Sequence, residues 1–179
     1  MGFFEAFLQR LTEVYNPLVM SFLWQTATVA LAGLIVNLLV MVLLWMVSIR
    51  RRDVSIVDIY WGSSFVVLVS TYFLVANIQM GRSFDRSLWV PLILVIVWGG
   101  RLTWHLWKRN SKLPEDRRYT KMRSGREGYF VAWSLVFVFL FQGFLAWWIS
   151  LPFAFSQILH PTETSFGLRW NPITMRGLS

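Results

Sequence analysis

Cysteine is absent from the 179-residue chain, so disulfides and thiolate metal sites are excluded. Histidine occurs twice, at His105 and His160, too few for a His-rich metal centre. Charge is scarce: 15% of the residues are Asp, Glu, Lys or Arg, where soluble domains carry about 25%. What charge there is leans one way, with 17 Lys and Arg against 9 Asp and Glu and a net +8. No Walker loop, G-x-G-x-x-G, G-x-S-x-G or H-E-x-x-H run occurs. Internal repeats and low-complexity segments are missing as well.

Apolar residues fill the chain instead. It is 56% hydrophobic and 17% aromatic, with 11 Trp and a mean hydropathy of +0.52. The long apolar runs make lipid the expected surroundings and membrane lipid an expected partner. The excess of basic residues does not indicate nucleic acid. No RNA- or DNA-binding motif accompanies it, and basic residues beside membrane spans follow the positive-inside rule.

A helix rises 1.5 Å per residue and needs about 20 apolar residues to cross a hydrocarbon core about 30 Å thick. Four stretches lack formal charge: Val14–Ile49, Ile59–Gly81, Ser87–Gly100 and Gly128–Thr162. They predict an all-α, polytopic bundle with spans at about 20–49, 59–79, 88–107 and 129–158. The third charge-free run is too short to cross alone. It is expected to continue past Arg101, because Arg101, His105 and Lys108 recur at helical spacing. Ahead of the first span, Phe4, Phe7, Leu8, Leu11, Val14 and Tyr15 share one helical face, with Glu5, Gln9, Arg10 and Glu13 opposite. Residues 1–16 are therefore expected to form an interfacial amphipathic helix. The leading segment is not basic and no small-residue cleavage site closes the apolar run, so a signal peptide is not expected. Residues 159–179, broken by Pro161, Gly167 and Pro172, read as a polar, poorly ordered tail.

Twelve of the 17 Lys and Arg fall after the first span (Arg50, Arg51, Arg52) or at the end of the third, from Arg101, and in the loop after it. With four spans those two loops lie on one side. The positive-inside rule then puts them in the cytoplasm and the N-terminus outside.

Ionisable groups within or at the edge of a span are costly and so are candidate site residues. Asp58 opens the second span between Ile56, Val57 and Ile59. Such neighbours favour the protonated acid, which suits a proton donor; equally, a carboxylate at a helix N-terminus is stabilised by the helix dipole. Tyr60 and Trp61 follow, as site groups or as members of an aromatic belt. Arg101 and His105, four apart, share a face with Trp98 nearby. They line a polar cavity, or Arg101 snorkels to the interface. Gly99-Gly100 permits close helix packing. The loop Glu115-Asp116-Arg117-Arg118-Tyr119 offers Arg117, Arg118 and Tyr119 to a phosphate, or is an exposed basic loop. Gln142, deep in the fourth span, bonds another helix or faces a substrate. If a shared cavity exists, Asp58, Arg101 and Gln142 should converge on it; if they point at lipid or at separate neighbours, the non-catalytic scaffold is favoured.

Four runs together resemble a known family: Ser55-Ile56-Val57-Asp58-Ile59-Tyr60-Trp61-Gly62; Trp98-Gly99-Gly100-Arg101-Leu102-Thr103 with Arg109-Asn110; Glu115-Asp116-Arg117-Arg118-Tyr119 through Met122-Arg123; and Phe139-Leu140-Phe141-Gln142-Gly143 with Ser150-Leu151-Pro152. Over about 50–152 the chain is similar to uncharacterised, mostly bacterial membrane proteins that share the steroid 5-alpha-reductase C-terminal domain. A bacterial inner membrane is the location this implies.

The resemblance implies a multi-helix reductase that uses NADPH to saturate a carbon–carbon double bond conjugated to a carbonyl. Hydride goes to the β-carbon while an acid or hydrogen-bond donor polarises the carbonyl oxygen. It implies Asp58 as the acid, places a tyrosine's role near Trp98, and gives Arg101 an arginine counterpart. Trp98 has no acidic hydroxyl, which is one departure. The other is the missing Arg-His-Pro-Asn-Tyr-type motif of the family's C-terminal half; His160-Pro161 lacks the flanking residues. The resemblance thus implies the N-terminal half of a longer protein, with an incomplete NADPH site and no activity alone. A lipophilic enone or sterol-like substrate and the missing C-terminal half are its implied partners. A non-catalytic membrane scaffold and an isoprenylcysteine-methyltransferase-like enzyme are the alternatives.

Overall fold

The structure, a computed structural model, describes Glu5 and residues 17–81, 86–111, 113–126 and 128–159. The expected interfacial helix over 1–16 and the tail beyond Leu159 lie outside these residues, Glu5 apart. The described residues form helices joined by short loops, with no strand among them.

Helix α1 runs from Pro17 to Arg51. Proline's fixed φ suits the first position of a helix. Arg50 and Arg51 occupy the last turn, where the unpaired carbonyls attract cations. Arg52 then turns left-handed (φ 54°). Its N–H donates to the Ile49 carbonyl and the Asp53 N–H to the Ser48 carbonyl, which closes the helix with a Schellman pattern.

Helix α2, Ile56–Met80, ends on Gly81 at φ 58°, whose N–H reaches the carbonyls of Asn77 and Ile78. Helix α3, Arg86–Asn110, is uninterrupted at Pro91, Arg101 or His105. Helix α4, Arg117–Ser124, is short and polar. Helix α5 is continuous over Phe130–Leu159. It is α-helical over Phe130–Ser134 and Phe141–Leu159 and π-helical over Leu135–Leu140. Neither Pro nor Gly occurs in that widened stretch, which ends just before Gln142.

Helices α1, α2, α3 and α5 are long and apolar enough to cross a membrane. The shortest such stretch, 22 residues in α3, is about 33 Å of helix at 1.5 Å per residue, enough for the hydrocarbon core. This is an all-α polytopic bundle.

Helix α2 packs against α1, α3 and α5, and α1 against α5. One core cluster joins Val29, Leu68, Tyr72 and Ala146. A second, nearer the basic loops, joins Met41, Val57, Tyr119 and Phe139. Lipid tails compete with apolar contacts between helices, so close approach and hydrogen bonds matter more than greasiness. The structure uses both. Tyr72 Oη and Ser150 Oγ lie 2.8 Å apart, and Trp147 Nε1 donates to the Ala30 carbonyl at 2.8 Å. Asn37 Nδ2 donates to the Gly143 carbonyl at 2.9 Å.

Backbone meets backbone between α2 and α3. A Cβ on Gly62 would lie 2.6 Å from the Gly99 carbonyl oxygen, and one on Gly99 would lie 2.6 Å from that of Gly62. Ser63 and Thr103 share a hydroxyl contact of 2.9 Å one step away. Of the Gly99-Gly100 pair only Gly99 therefore serves packing. Nothing lies within 4 Å of a Cβ on Gly100.

Gly62→Val should force α2 from α3 and cost about 1–3 kcal/mol, as overpacking does. Gly100→Val should stay within about 0.5 kcal/mol of the parent, as surface substitutions do. Thermal unfolding of the two variants in one detergent checks the contrast.

Candidate functional site

Two loops far apart in sequence are stitched together at the basic end of the bundle. Glu115 Oε1 accepts the Val54 N–H at 2.9 Å and the Arg123 guanidinium at 2.8 Å. The Asp116 N–H donates to Ser55 Oγ at 2.8 Å, and the Ser55 N–H to Asp53 Oδ1 at 2.8 Å. The loop between α1 and α2 and the loop before α4 therefore lie on one side of the bundle. Asp116 also caps α4 by accepting the Arg118 N–H at 2.8 Å, the usual work of an Asp at that position.

From this latch a polar chain runs inward. Arg118 Nη2 lies 3.1 Å from both Asp58 Oδ2 and Asp116 Oδ2. The Tyr119 hydroxyl donates to Asp58 Oδ1 at 2.9 Å. Gln142 Nε2 reaches the Tyr119 oxygen at 3.5 Å, the outer limit of a hydrogen bond. The environment grades from wet to dry. The Arg118 side chain is 66% exposed, that of Asp58 26%, and Tyr119 as a residue 5%.

Electrostatics follow this gradient. Hydrogen bonds from the Arg118 side chain and N–H hold the Asp116 carboxyl below its ordinary range. Bonding to Asp116 and the charge of Asp58 push Arg118 further up. Burial, first, and then the Asp58 charge push the Tyr119 phenol well above its ordinary value of 10.0. At neutral pH Tyr119 is protonated, with its hydroxyl against the Asp58 carboxyl.

Beside the chain opens a cavity of about 420 Å³. Arg51, Arg109 and Arg118 line it, with Asp53, Asp58 and Asp116. Trp107, Asn110 and Pro114 complete much of the wall. Tyr119 and Gln142 do not line it; they lie behind Asp58.

Among the residues singled out from sequence, Asp58, Arg118, Tyr119 and Gln142 come together. One Asp58 oxygen meets the Tyr119 hydroxyl and the other the Arg118 guanidinium. The expected convergence of Asp58, Arg101 and Gln142 is corrected. Arg101 is exposed on α3, as are His105 and Trp98, and none of the three lines the cavity. The reason is that α3 turns Gly99 and Thr103 toward α2, which leaves Arg101 on another face. Arg117 is exposed and outside the chain of contacts. Tyr60 packs against the second core cluster, and its buried hydroxyl has no hydrogen-bond partner among the described residues.

Sequence reasoning passed over Asp53, Ser55, Glu115 and Arg123, which close the latch. A signal was present. Five of the nine acidic residues (Asp53, Asp58, Glu115, Asp116, Glu127) fall in the two most basic loops or beside them, a clustering that the positive-inside bias does not account for.

Tyr119→Phe should remove the phenol that satisfies Asp58 and cost about 1–3 kcal/mol at neutral pH, the range for leaving a buried polar group without its partner. The raised phenol makes this contribution complete below pH 10.0. Above that the unfolded chain loses its proton first, so stability falls as pH rises toward the folded value. The difference in melting temperature between the parent and Tyr119→Phe should therefore shrink in alkali, and a constant difference would contradict the assignment.

A family model described as "Protein of unknown function (DUF1295)" matches residues 44–176. The match takes in both latched loops and all of α2 to α5. No curated protein and no solved structure gives a significant match. The chain belongs to the DUF1295 family of proteins.

Proposed function

We propose that this chain is a membrane-embedded reductase module, of the kind that its resemblance to the steroid 5-alpha-reductases implies, acting on a lipophilic enone or sterol-like substrate. One observation carries the reading: Asp58, Tyr119 and Gln142, from three separate segments, form a single polar chain at the basic end of an otherwise apolar bundle. Nothing about helix length or lipid exposure requires that arrangement. A phenol is the type of donor that polarises a carbonyl oxygen; the one Tyr119 proton is held by Asp58, so in this reading the substrate carbonyl must displace Asp58 as its acceptor. Asp58 and Gln142 orient it. In this reading Tyr119 takes the donor role that the resemblance assigned to Asp58.

The cofactor that the resemblance implies, NADPH, fits only in part. Arg51 and Arg109 line the cavity and form no ion pair among the described residues, so each offers donors to a phosphate oxygen. Arg118 is already held by Asp58 and Asp116. The three arginines of the cavity face three aspartates, so the lining carries no net charge, whereas the dinucleotide carries several negative charges. These residues suit one phosphate group and not the whole molecule. In this reading the remainder of the dinucleotide is held by other groups.

A non-catalytic scaffold is the second reading, favoured by the outward face of Arg101, which does not join Asp58 and Gln142, and by the 5% exposure of Tyr119 and its engagement with Asp58. The two separate in one experiment. NADPH fluorescence is titrated against the purified chain in lipid nanodiscs, alone and with the C-terminal half of a family relative added. The reductase reading expects saturable binding that Arg51→Gln or Arg109→Gln weakens about tenfold, the loss of one charge-assisted hydrogen bond. No saturable binding in either arrangement supports the scaffold.

A further inference from the structure

Helix α3 is the least covered of the four long helices: 11% of its most apolar stretch is buried, against 28% to 39% in the others. It packs chiefly on α2, through Gly99 and Thr103. Its other faces are left without protein among the described residues. One of them carries charge. Arg101, His105 and Lys108 stand at i, i+4 and i+7, which puts them within a narrow stripe, and all three are exposed. Trp98 (50% exposed) and Trp104 (63%) flank the stripe. Leu94, exposed as well, continues it toward the membrane interior.

The depth of Arg101 makes this stripe costly as it stands. The Gly62–Gly99 and Ser63–Thr103 contacts place Arg101 level with Gly62, six residues inside the start of α2. That is about 9 Å of helix at 1.5 Å per residue. Arginine exposed to hydrocarbon at such a depth must reach the headgroups or draw an anion to itself. Among the described residues no anion answers it. Helix α3 contains no Asp or Glu, and neither Arg101 nor Lys108 forms an ion pair among the described residues. The acidic residues of the latch are engaged elsewhere, Asp58 and Asp116 with Arg118, Glu115 with Arg123, and Asp53 with the Ser55 N–H.

We infer that the outward face of α3 is a binding site for an anionic phospholipid. Its phosphate sits against Arg101, His105 and Lys108, Trp98 and Trp104 bracket the glycerol region, and an acyl chain lies along Leu94. Charge complementarity selects the occupant: a stripe that is basic, aromatic-flanked and apolar below matches a lipid with a negative headgroup, and a zwitterionic headgroup leaves the cations only half-answered. A second copy of this chain would bring the same cations against each other. The inference stands on α3 alone and does not depend on the proposed reductase activity.

Native mass spectrometry of the protein in a neutral detergent tests it, with phosphatidylglycerol and phosphatidylcholine of matched chains as the probes. The parent should retain phosphatidylglycerol in preference. Arg101→Gln and Lys108→Gln should each lower that retention about fivefold, the effect of one basic residue near an anionic surface, and leave phosphatidylcholine retention unchanged. Arg50→Gln removes the same charge from the same side but away from the stripe and should change neither. Lys108→Gln, at the exposed helix end, keeps the test available if Arg101→Gln does not fold. Equal loss in Arg50→Gln assigns the preference to the general basic field and overturns the site. So does equal retention of the two lipids by the parent. Displacement of the lipid by millimolar inorganic phosphate overturns the lipid as occupant.

Discussion

Hydrocarbon solvates neither a charge nor an unpaired amide, and the architecture of this chain follows from that constraint. Every long element is a helix, because only a helix satisfies its own backbone in a non-aqueous core. The four long helices differ in how they meet. Where α2 and α3 approach most closely, side chains are absent altogether at Gly62 and Gly99. Where α1, α2 and α5 meet, hydrogen bonds of Asn37, Tyr72 and Trp147 fix the contacts. A bundle in lipid gains little from greasy contact alone, so register depends on these few positions.

The same constraint concentrates the polar chemistry at one end. The loops after α1 and α3 are rich in arginine, and mutual repulsion would drive them apart. Glu115 and Asp116 reverse this: their backbone and side-chain contacts bind the second loop to Val54, Ser55 and Arg123. With the loops joined, Arg118 and Tyr119 are carried to Asp58 at the mouth of α2, and Tyr119 is pressed into the bundle beside Gln142. The π-helical stretch before Gln142 lies in the same region. Such widened turns recur at functional sites, and here one adjoins the residue that completes the polar chain. Family membership and site geometry thus meet in the same segments, since the DUF1295 match spans both loops.

The all-α architecture was legible because it rests on composition and run length, properties that add along the chain. The continuation of α3 through Arg101 was legible for a related reason, as the basic residues recur at helical spacing. Asp58 and Gln142 stood out because polar groups in apolar surroundings are rare. The partner of each could not be read the same way. Asp58 and Tyr119 are 61 residues apart, and which oxygen accepts which proton depends on where two loops dock. Arg101 shows the opposite case: its spacing with His105 was read correctly as one helical face, while the direction of that face depends on Gly99 meeting Gly62.

What the sequence by itself determined is therefore the class of solvent, the helices and the basic side of the bundle, since hydrophobicity and charge are local and cumulative. Only the tertiary structure decided that Asp58 meets Tyr119 and Arg118, that Tyr119 is buried beside Gln142, and that Arg101 faces outward. Those outcomes turn on ångström-scale distances between segments, where a hydrogen bond or a steric contact either forms or does not.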